Sequence, residues 1–522
     1  MLTVGCVLCS GLPGRSSSED RDPDQIYLSV SRYGQSIRTG RTTSDEGSGR
    51  AGATFKDATM RLLSAIAVGL PLLVSARQAR AQDSTATAVQ APDTTAQDTT
   101  GKASESEERS TGLPTKVQWK FNFDVGVGGF GFNNSLYTDA RPDPSGNLSD
   151  NWAEGFAKPA LSGTYGLKKG ELYGAISAVG ERTYSAPPPL VGGEASSFQV
   201  EDLYIGWRSG TALSVGENAL DFTFGRAQYR IGQGYLLWDG GGDGGTRGGF
   251  WSGARKAWAL AAIGRFKPKN HTFEAFYLDR NENPESETGA RLWGGNYELA
   301  LGEANTLGAT YLHFYSDSVP ERDGLSVYNL RAYVAPFKRL PDLSLGAEFA
   351  REENGDLLGS TAWMAQGAYE LSKVHWKPKL SYRYAFFEGD DPGTAKSESF
   401  DMLYPGFYDW GTWWQGEIGG EYFLSNSNLI SHQVRVHLTP SEKLGTGLIG
   451  YVFRLDQPET FAPGVTSKDL ATELDAYADW KINGNFTASF VAAFAHPQEA
   501  AAEGFGRTSD FTYGMIYVSY SY

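Results

Sequence analysis

Charged residues recur at every second position in several segments whose intervening residues are apolar. Lys120 and Asp124 alternate with valine, tryptophan and phenylalanine in residues 117–127, VQWKFNFDVGV. Arg383 has the same setting in residues 380–386, LSYRYAF, and Arg435 in residues 433–438, QVRVHL. A period of two is that of a β-strand, so the charged groups share one face and the apolar groups the other. Arginine binds carboxylates in a two-point geometry and stays charged, so such a face favours anionic solutes.

Strand parity extends this polar face to a set of candidate pore-lining residues. The basic members are Lys120, Arg208, Arg331, Lys379, Arg383 and Arg435, and the acidic ones are Asp124, Asp202, Glu298, Glu348, Asp475 and Asp479. One interpretation is an arginine-lined lumen in which the carboxylates keep each arginine extended. The alternative is a set of cross-strand ion pairs that stiffen the wall.

Other patterns that carry chemistry are weak in this sequence. The six histidines are scattered and form neither a His-Glu-x-x-His nor a serine-elbow motif. Asp239 and Asp243 lie among glycines in residues 238–250 and have carboxylates suited to calcium, but the EF-hand spacing is absent. We therefore predict no enzyme, no cofactor and no metal site, and interpret residues 238–250 as an extracellular or constriction loop.

Composition narrows the class of protein. The chain has 522 residues, 13% aromatic residues, 64 glycines and a net charge of -15, with a mean hydropathy of -0.37. Helical membrane proteins need repeated apolar runs of about 20 residues, which are missing. The acidic balance argues against a nucleic-acid partner. Both cysteines, Cys6 and Cys9, lie in the first ten residues, which removes disulfides from the folded part.

The N-terminal part predicts export from the cytoplasm. Residues 1–59 are polar and end just before Met60. We interpret them as a disordered leader, or as the product of a mis-assigned translation start. Residues 60–81 have the three parts of a signal peptide, with Arg61, an apolar core in 62–74 and a small-x-small site at 79–81. Residues 82–115 are too polar to bury a core and are predicted to be a disordered periplasmic linker.

Residues 116–522 predict one antiparallel transmembrane β-barrel of an all-β class. Short turns such as 167–170, 267–270 and 482–485 alternate with long polar loops such as 236–254 and 389–429. This asymmetry is typical of outer-membrane barrels, whose turns are periplasmic and whose loops are extracellular. The count is 18 strands if Trp413–Leu424 belongs to a loop, and both chain ends then lie on the periplasmic side. The lumen of such a barrel is aqueous unless loops fold into it.

The last twelve residues, FTYGMIYVSYSY, predict the closing strand. Val518, Tyr520 and Tyr522 share the lipid face, while Tyr513, Met515 and Tyr517 share the lumen face. We expect this strand to pair with residues 117–127 and its terminal aromatic residue to be recognised by the barrel-assembly machinery.

Two segments give the sequence a family resemblance. Residues 220–229, LDFTFGRAQY, with Gly232 and Trp238 after them, resemble the Gly-Arg-Gln strand of the alginate-export family of outer-membrane proteins. Residues 400–455 resemble the C-terminal portion of that family. The resemblance implies an 18-stranded barrel with an arginine-lined pore for an anionic polysaccharide. Arg226 is the motif arginine, and the glutamine is displaced to Gln228. By parity Arg226 faces the lumen only if a bulge near Gly225 shifts the register.

The sequence thus predicts an outer-membrane channel for anionic or polar solutes, with polysaccharide export as its more specific form. The alternatives are a general or sugar-selective porin, a structural or adhesive barrel whose loops 236–254 and 389–429 block the lumen, and an enzyme at the barrel rim. The predicted partners are outer-membrane lipid, the assembly machinery and the solute.

Overall fold

The structure is a computed structural model that describes residues 117–134, 150–186, 193–302, 304–406, 415–420, 426–506 and 509–522. The predictions for residues 1–59, 60–81 and 82–115 lie outside the described residues.

Eighteen strands form one sheet. The first nine are β1 Gln118–Asn133, β2 Asp150–Gly166, β3 Glu171–Ala186, β4 Gly193–Arg208, β5 Leu220–Arg226, β6 Leu260–Phe266, β7 His271–Asp279, β8 Arg291–Ala300 and β9 Thr306–Tyr315. The second nine are β10 Ser326–Val334, β11 Leu343–Asn354, β12 Leu358–Glu370, β13 Lys379–Phe387, β14 Leu429–Ser441, β15 Leu444–Leu455, β16 Asp469–Lys481, β17 Phe486–Pro497 and β18 Phe511–Ser521.

Each strand pairs antiparallel with its neighbours in sequence, and β18 closes the sheet on β1. The closed 18-stranded barrel confirms the predicted fold class. The closing register runs from Asp124 opposite Ser521 to Asn133 opposite Thr512. The predicted pairing with residues 117–127 holds from Phe123 onward, because Phe123 exchanges two backbone hydrogen bonds of 3.1 Å with Tyr522. It is wrong for the residues before Phe123, since Gln118–Asn122 extend past the end of the chain and pair only with β2.

The two faces of the barrel wall separate as the alternation predicts. Outward side chains are apolar and exposed, as in Trp119 at 66%, Ile205 at 58% and Leu380 at 58%. Inward side chains one position away are polar and fully buried, as in Arg383 and Asp475. An apolar outer belt over a polar interior is the arrangement that a lipid bilayer stabilises.

The connections differ between the two rims. One rim has short turns, among them residues 167–170, 267–270 and 482–485, and it holds both ends of the barrel chain. The other rim has long loops and two short helices, α1 Pro458–Phe461 and α2 Glu499–Phe505. The described part of Trp413–Leu424 lies in the loop before β14, as predicted. Within the described residues, no helix is long and apolar enough to span a membrane.

Two long loops fold against the inward face of the wall. We call residues 227–259, between β5 and β6, inner loop 1. Inner loop 2 denotes the described residues between β13 and β14, which are 388–406, 415–420 and 426–428. Leu237 and Trp258 of inner loop 1, and Ile418 of inner loop 2, have no exposed surface. The apolar core of this barrel therefore lies in its interior, where these loops contact the strands.

Candidate functional site

Three glutamates of the wall hold the backbone of inner loop 1. Glu154 of β2 accepts hydrogen bonds from the Trp251 and Ser252 amides, both at 2.8 Å. Glu201 of β4 accepts from the amides of residues 256 and 257, at 2.6 and 2.7 Å. Glu181 of β3 accepts from the amide of residue 254 at 3.1 Å. We call Glu154, Glu181 and Glu201 the glutamate brace. A loop inside a barrel has few partners for its amides, and the brace supplies them.

Arg255 joins the loop to the brace through its side chain. Its guanidinium contacts Glu181 and lies 3.1 Å from Asp243, and it also donates to the Ser197 hydroxyl at 2.7 Å. None of Arg255, Glu181 and Asp243 is appreciably exposed. Burial raises the pKa of Asp243 to about 7 and lowers that of Arg255 to about 10. Asp243, the candidate calcium ligand of the sequence, is thus the buried partner of an arginine.

Inner loop 2 is held in the same manner from other strands of the wall. Glu473 of β16 accepts from the Ile418 amide at 2.9 Å and from the Gly419 amide at 2.6 Å. Asp475, two positions along, accepts from the Glu417 amide at 3.2 Å. Glu352 of β11 accepts from the amide of Asp401 at 2.8 Å. Inward carboxylates therefore serve as loop supports on both sides of the barrel.

The two inner loops meet in a short parallel bridge. The Trp238 amide donates to the Tyr404 carbonyl at 2.8 Å, and the Tyr404 amide donates to the Leu236 carbonyl at 3.0 Å. Gly234 and Gly406 lie against the Trp238 ring, where an added Cβ would come within 2.2 Å of ring atoms. Glycine is required at both positions because the ring occupies the space of a side chain.

Four arginines converge beside this bridge, and we call them the arginine cluster: Arg226, Arg247, Arg280 and Arg322. The Arg280 guanidinium lies 3.8 Å from the centre of the Tyr404 ring and that of Arg322 lies 5.2 Å from it. Arg322, from the loop between β9 and β10, also binds Asp401 with two hydrogen bonds of 2.5 Å.

Arg247 connects the cluster to the loop after β7. It donates to the Asn281 carbonyl at 3.1 Å and to the Glu282 carbonyl at 2.5 Å. The pKa of Arg247 is lowered, first by burial and also by the positive charges of Arg226 and Arg280, against the opposing effect of Asp243 and Glu201. Like charges are therefore close enough to influence one another. Within the described part of the chain, neither Arg226, Arg247 nor Arg280 has a carboxylate at ion-pair distance.

Arg226 follows an irregular point in the backbone. Gly225 has φ of 126°, and an added Cβ there would come within 2.3 Å of the Leu203 carbonyl. The Nε of Arg226 donates to the Glu201 carbonyl at 3.3 Å. The pairing from β4 to β5 shows no register shift at this point. The left-handed glycine, and not an inserted residue, is the irregularity next to Arg226.

Several predicted pore residues form ion pairs along the wall. Arg331 binds Glu298 at 2.6 Å and Asn296 at 2.6 Å. Asp202 lies 3.1 Å from Lys158, and Arg208 contacts Glu171. Such pairs are what the wall-stiffening interpretation describes.

The other predicted residues are dispersed over the inward face. Glu348 accepts from Tyr333 at 2.6 Å, Asp479 accepts from Ser489 at 2.7 Å, and Asp124 is buried. Arg383 donates to Gln366 at 2.6 and 2.8 Å, and Arg435 donates to Tyr477 at 2.5 and 2.8 Å. Lys120 is exposed and Lys379 is partly exposed near the short-turn rim. The structure thus places Lys379, Arg383 and Arg435 on the paired strands β13 and β14 and disperses the others, and their pore-lining role stays a prediction.

The residues that do converge were mostly absent from the sequence-based set. Glu154 and Glu352 sit on the inward face by simple alternation. Glu201 does not, because a register irregularity between β3 and β4 turns both Glu201 and Asp202 inward. Arg247, Arg280 and Arg322 lie in loops, where alternation gives no direction. No group of three or more His, Cys, Asp or Glu in the described residues is placed to hold a metal ion.

Comparison with known families identifies the C-terminal part of the barrel. Residues 344–514, from β11 to β18, match the family described as Alginate export. This part of the chain is similar to the alginate-export family. Together with the closed barrel, the match places the protein in the bacterial outer membrane, in the class of outer-membrane channels. The family resemblance predicted from the sequence is confirmed.

The barrel is also similar to solved outer-membrane structures at low sequence identity. Pseudomonas aeruginosa OccK5 (OpdH) is 12% identical, with 77% of this chain and 97% of that chain covered and a TM-score of 0.48. Pseudomonas aeruginosa OccD3 (OpdP) is 12% identical, with 79% and 92% covered and a TM-score of 0.49. Acinetobacter baumannii OccAB1 is 10% identical, with 77% and 96% covered and a TM-score of 0.49. No curated protein matched the sequence.

Proposed function

We propose that this protein is an outer-membrane channel that passes anionic solutes alongside the arginine cluster, with an anionic polysaccharide as the more specific cargo. The observation that carries the proposal is the group Arg226, Arg247 and Arg280, three guanidinium groups without a carboxylate at ion-pair distance in the described residues. The Nε atoms of Arg247 and Arg280 are buried and have no hydrogen-bond partner there. Guanidinium groups in excess of their counter-ions favour an anion.

The carboxylates near the arginine cluster have other partners, which supports an excess of positive charge there. Glu201 accepts hydrogen bonds from two backbone amides, and Asp401 forms an ion pair with Arg322. Arg280 is partly exposed, so a passing solute can reach it. The family match adds support from a different source, since the matched family is described by export of a polyanion.

Reversal potentials in planar bilayers test the proposal. Under a potassium chloride gradient, we expect chloride to be more permeant than potassium. Removing one charge about 5 Å from the ion path changes its energy by about 0.8 kcal/mol in water, which is about fourfold in permeability. R280Q and R226Q should each lower the chloride preference by about that factor. R454Q is the matched control, because Arg454 lies on the outward face in an exposed pair with Asp469.

Other outcomes favour the alternative functions. Equal permeability of both ions would favour a general or sugar-selective porin, and cation selectivity would contradict the arginine-based proposal. The packing of both inner loops in the interior favours a second candidate, a structural barrel with a blocked lumen. Absence of conductance in protein that migrates as a folded barrel would support that candidate. We propose transport and not catalysis.

We further propose that β18 is the segment by which the barrel-assembly machinery recognises this protein. Tyr522 is 68% exposed at the end of the outward face, and Tyr513, Met515 and Tyr517 are buried on the inward face. A partner that reads the terminal aromatic residue therefore has access to it.

A further inference from the structure

The short-turn rim of the barrel carries an excess of positive charge. Its connections contain nine lysines and arginines, and only four acidic residues, Glu217, Glu303, Asp342 and Glu442. The nine basic residues are Lys168, Lys169, Lys267, Lys269, Lys338, Arg339, Lys373, Lys377 and Lys443, which we call the basic rim. The chain as a whole has a net charge of -15, so this rim has the opposite sign to the molecule.

The basic rim is available to a partner. Eight of its members are exposed, and Lys267 is partly exposed. Within the described residues none of them forms an ion pair. The wall, in contrast, pairs its basic groups, as in Arg208 with Glu171 and Arg265 with Glu274.

At two positions of the basic rim the backbone conformation is unfavourable for lysine, which indicates that lysine is present there for its charge. Lys269 has φ of 58° and Lys377 has φ of 44°, both in the left-handed region. Glycine or asparagine adopts this region with less strain, since the conformation costs a side chain such as lysine about 1 kcal/mol. Two positions thus hold a cation where the turn alone would select another residue.

The opposite rim is acidic. The loop between β7 and β8 contains three acidic residues, Glu282, Glu285 and Glu287, and one basic residue, Arg280. The first part of inner loop 2 contains one basic residue, Lys396, and five acidic residues, which are Glu388, Asp390, Asp391, Glu398 and Asp401. In outer-membrane barrels the rim of short turns is periplasmic and the rim of long loops is extracellular. The charge of this barrel is therefore positive at the periplasmic mouth and negative at the extracellular one.

Basic groups continue from the rim into the lumen. Lys379 is the first residue of β13 and lies opposite His437. Arg435 is opposite Ser381, the next inward position, and Arg383 follows two residues later. Positive charge thus continues from the rim along one part of the wall, although Arg383 and Arg435 are themselves buried.

We propose that the basic rim captures a polyanion from the periplasm and that the opposed charge of the two mouths makes capture directional. This inference rests on the proposed function, because it assigns the cargo of the same channel to a polymeric anion presented at the periplasmic mouth. A mouth lined by one sign of charge raises the local concentration of the opposite ion and its rate of entry, and salt weakens the effect.

Current blocking by a linear oligogalacturonate tests the proposal with the full-length protein in neutral phosphatidylcholine bilayers. The probe is added to one side at a time, and S318C, labelled with a membrane-impermeant reagent, reports the orientation. Blocking events should be at least several times more frequent from the periplasmic side. The variant K168Q/K169Q/K373Q/K377Q should lower that rate about tenfold at 0.1 M salt and less at 1 M salt.

Matched measurements separate this inference from the proposed function. K396Q/K468Q removes two cations from the extracellular loops and should leave periplasmic capture unchanged. The chloride preference of each variant is read in the same membranes; cation selectivity would contradict the proposed function. Anion selectivity with equal blocking from both sides, or without any blocking, would overturn only the capture proposal. An asymmetry that appears solely in bilayers with anionic lipid would also overturn it, because the rim would then bind lipid headgroups.

Discussion

Replacing Glu154 by alanine should release inner loop 1 from the wall. Glu154 has 1% of its surface exposed, and one of its oxygens accepts both the Trp251 and the Ser252 amides at 2.8 Å. The variant leaves two amides buried without an acceptor, whereas water satisfies them once the loop leaves the wall. Each unsatisfied group costs about 1 to 3 kcal/mol, so we expect about 2 to 6 kcal/mol against the docked loop. The released population then rises at least about 30-fold.

Limited proteolysis with trypsin measures this population. The loop offers cleavage sites at Arg230, Arg247, Arg255 and Lys256, and the side chains of Arg247 and Arg255 are buried while the loop is docked. When the loop opens and closes faster than it is cut, the cleavage rate follows the open population. We expect cleavage between β5 and β6 to accelerate at least about tenfold.

A second carboxylate variant, outside the glutamate brace, is the matched control. E353A removes a carboxylate that pairs with exposed Arg351 at 3.3 Å and is not part of the glutamate brace. It should leave the cleavage rate unchanged. Heat-dependent migration in detergent gels shows whether each variant still forms the barrel. If folded E154A is cut no faster than the parent protein, the brace does not hold the loop.

Three further predictions follow from the same contacts. Because burial raises the pKa of Asp243 to about 7 from its usual 3.8, the docked loop retains a proton that the released loop loses. Docking should therefore weaken as pH rises from about 4 to 7, and D243N should reduce the pH dependence of the channel's current fluctuations. R322M removes both hydrogen bonds that Arg322 donates to the largely buried Asp401, which should cost about 3 kcal/mol and lower the unfolding temperature. R322M/D401N should recover part of the loss, and an unchanged temperature in the single variant would contradict this expectation. Deletion of residues 511–522 removes β18 and its pairing with both neighbours, so no heat-modifiable barrel should appear in outer-membrane fractions.

The sequence alone determined the wall of this protein. An apolar residue at every second position, as in residues 117–127, predicts a β-strand with an apolar face and a polar face. In a membrane the apolar face contacts lipid and the polar face points into the barrel. The lengths of the connections then decide the number of strands, and Trp413–Leu424 could be assigned to a loop because a strand there would place a short turn on the wrong rim. These are local rules, since period and loop length are properties of neighbouring residues.

Only the tertiary structure decided what fills the interior. Parity placed Arg331 and Arg435 on the inward face, but it could not show that Arg331 is bound by Glu298 or that Arg247, Arg280 and Arg322 approach one another. Those three arginines come from separate loops, and a loop has no period from which a direction can be read. Glu201 turns inward because of an irregularity in strand pairing that leaves no mark in the alternation. The site depends on contacts between residues far apart in the chain, and such contacts are set by packing inside the closed barrel.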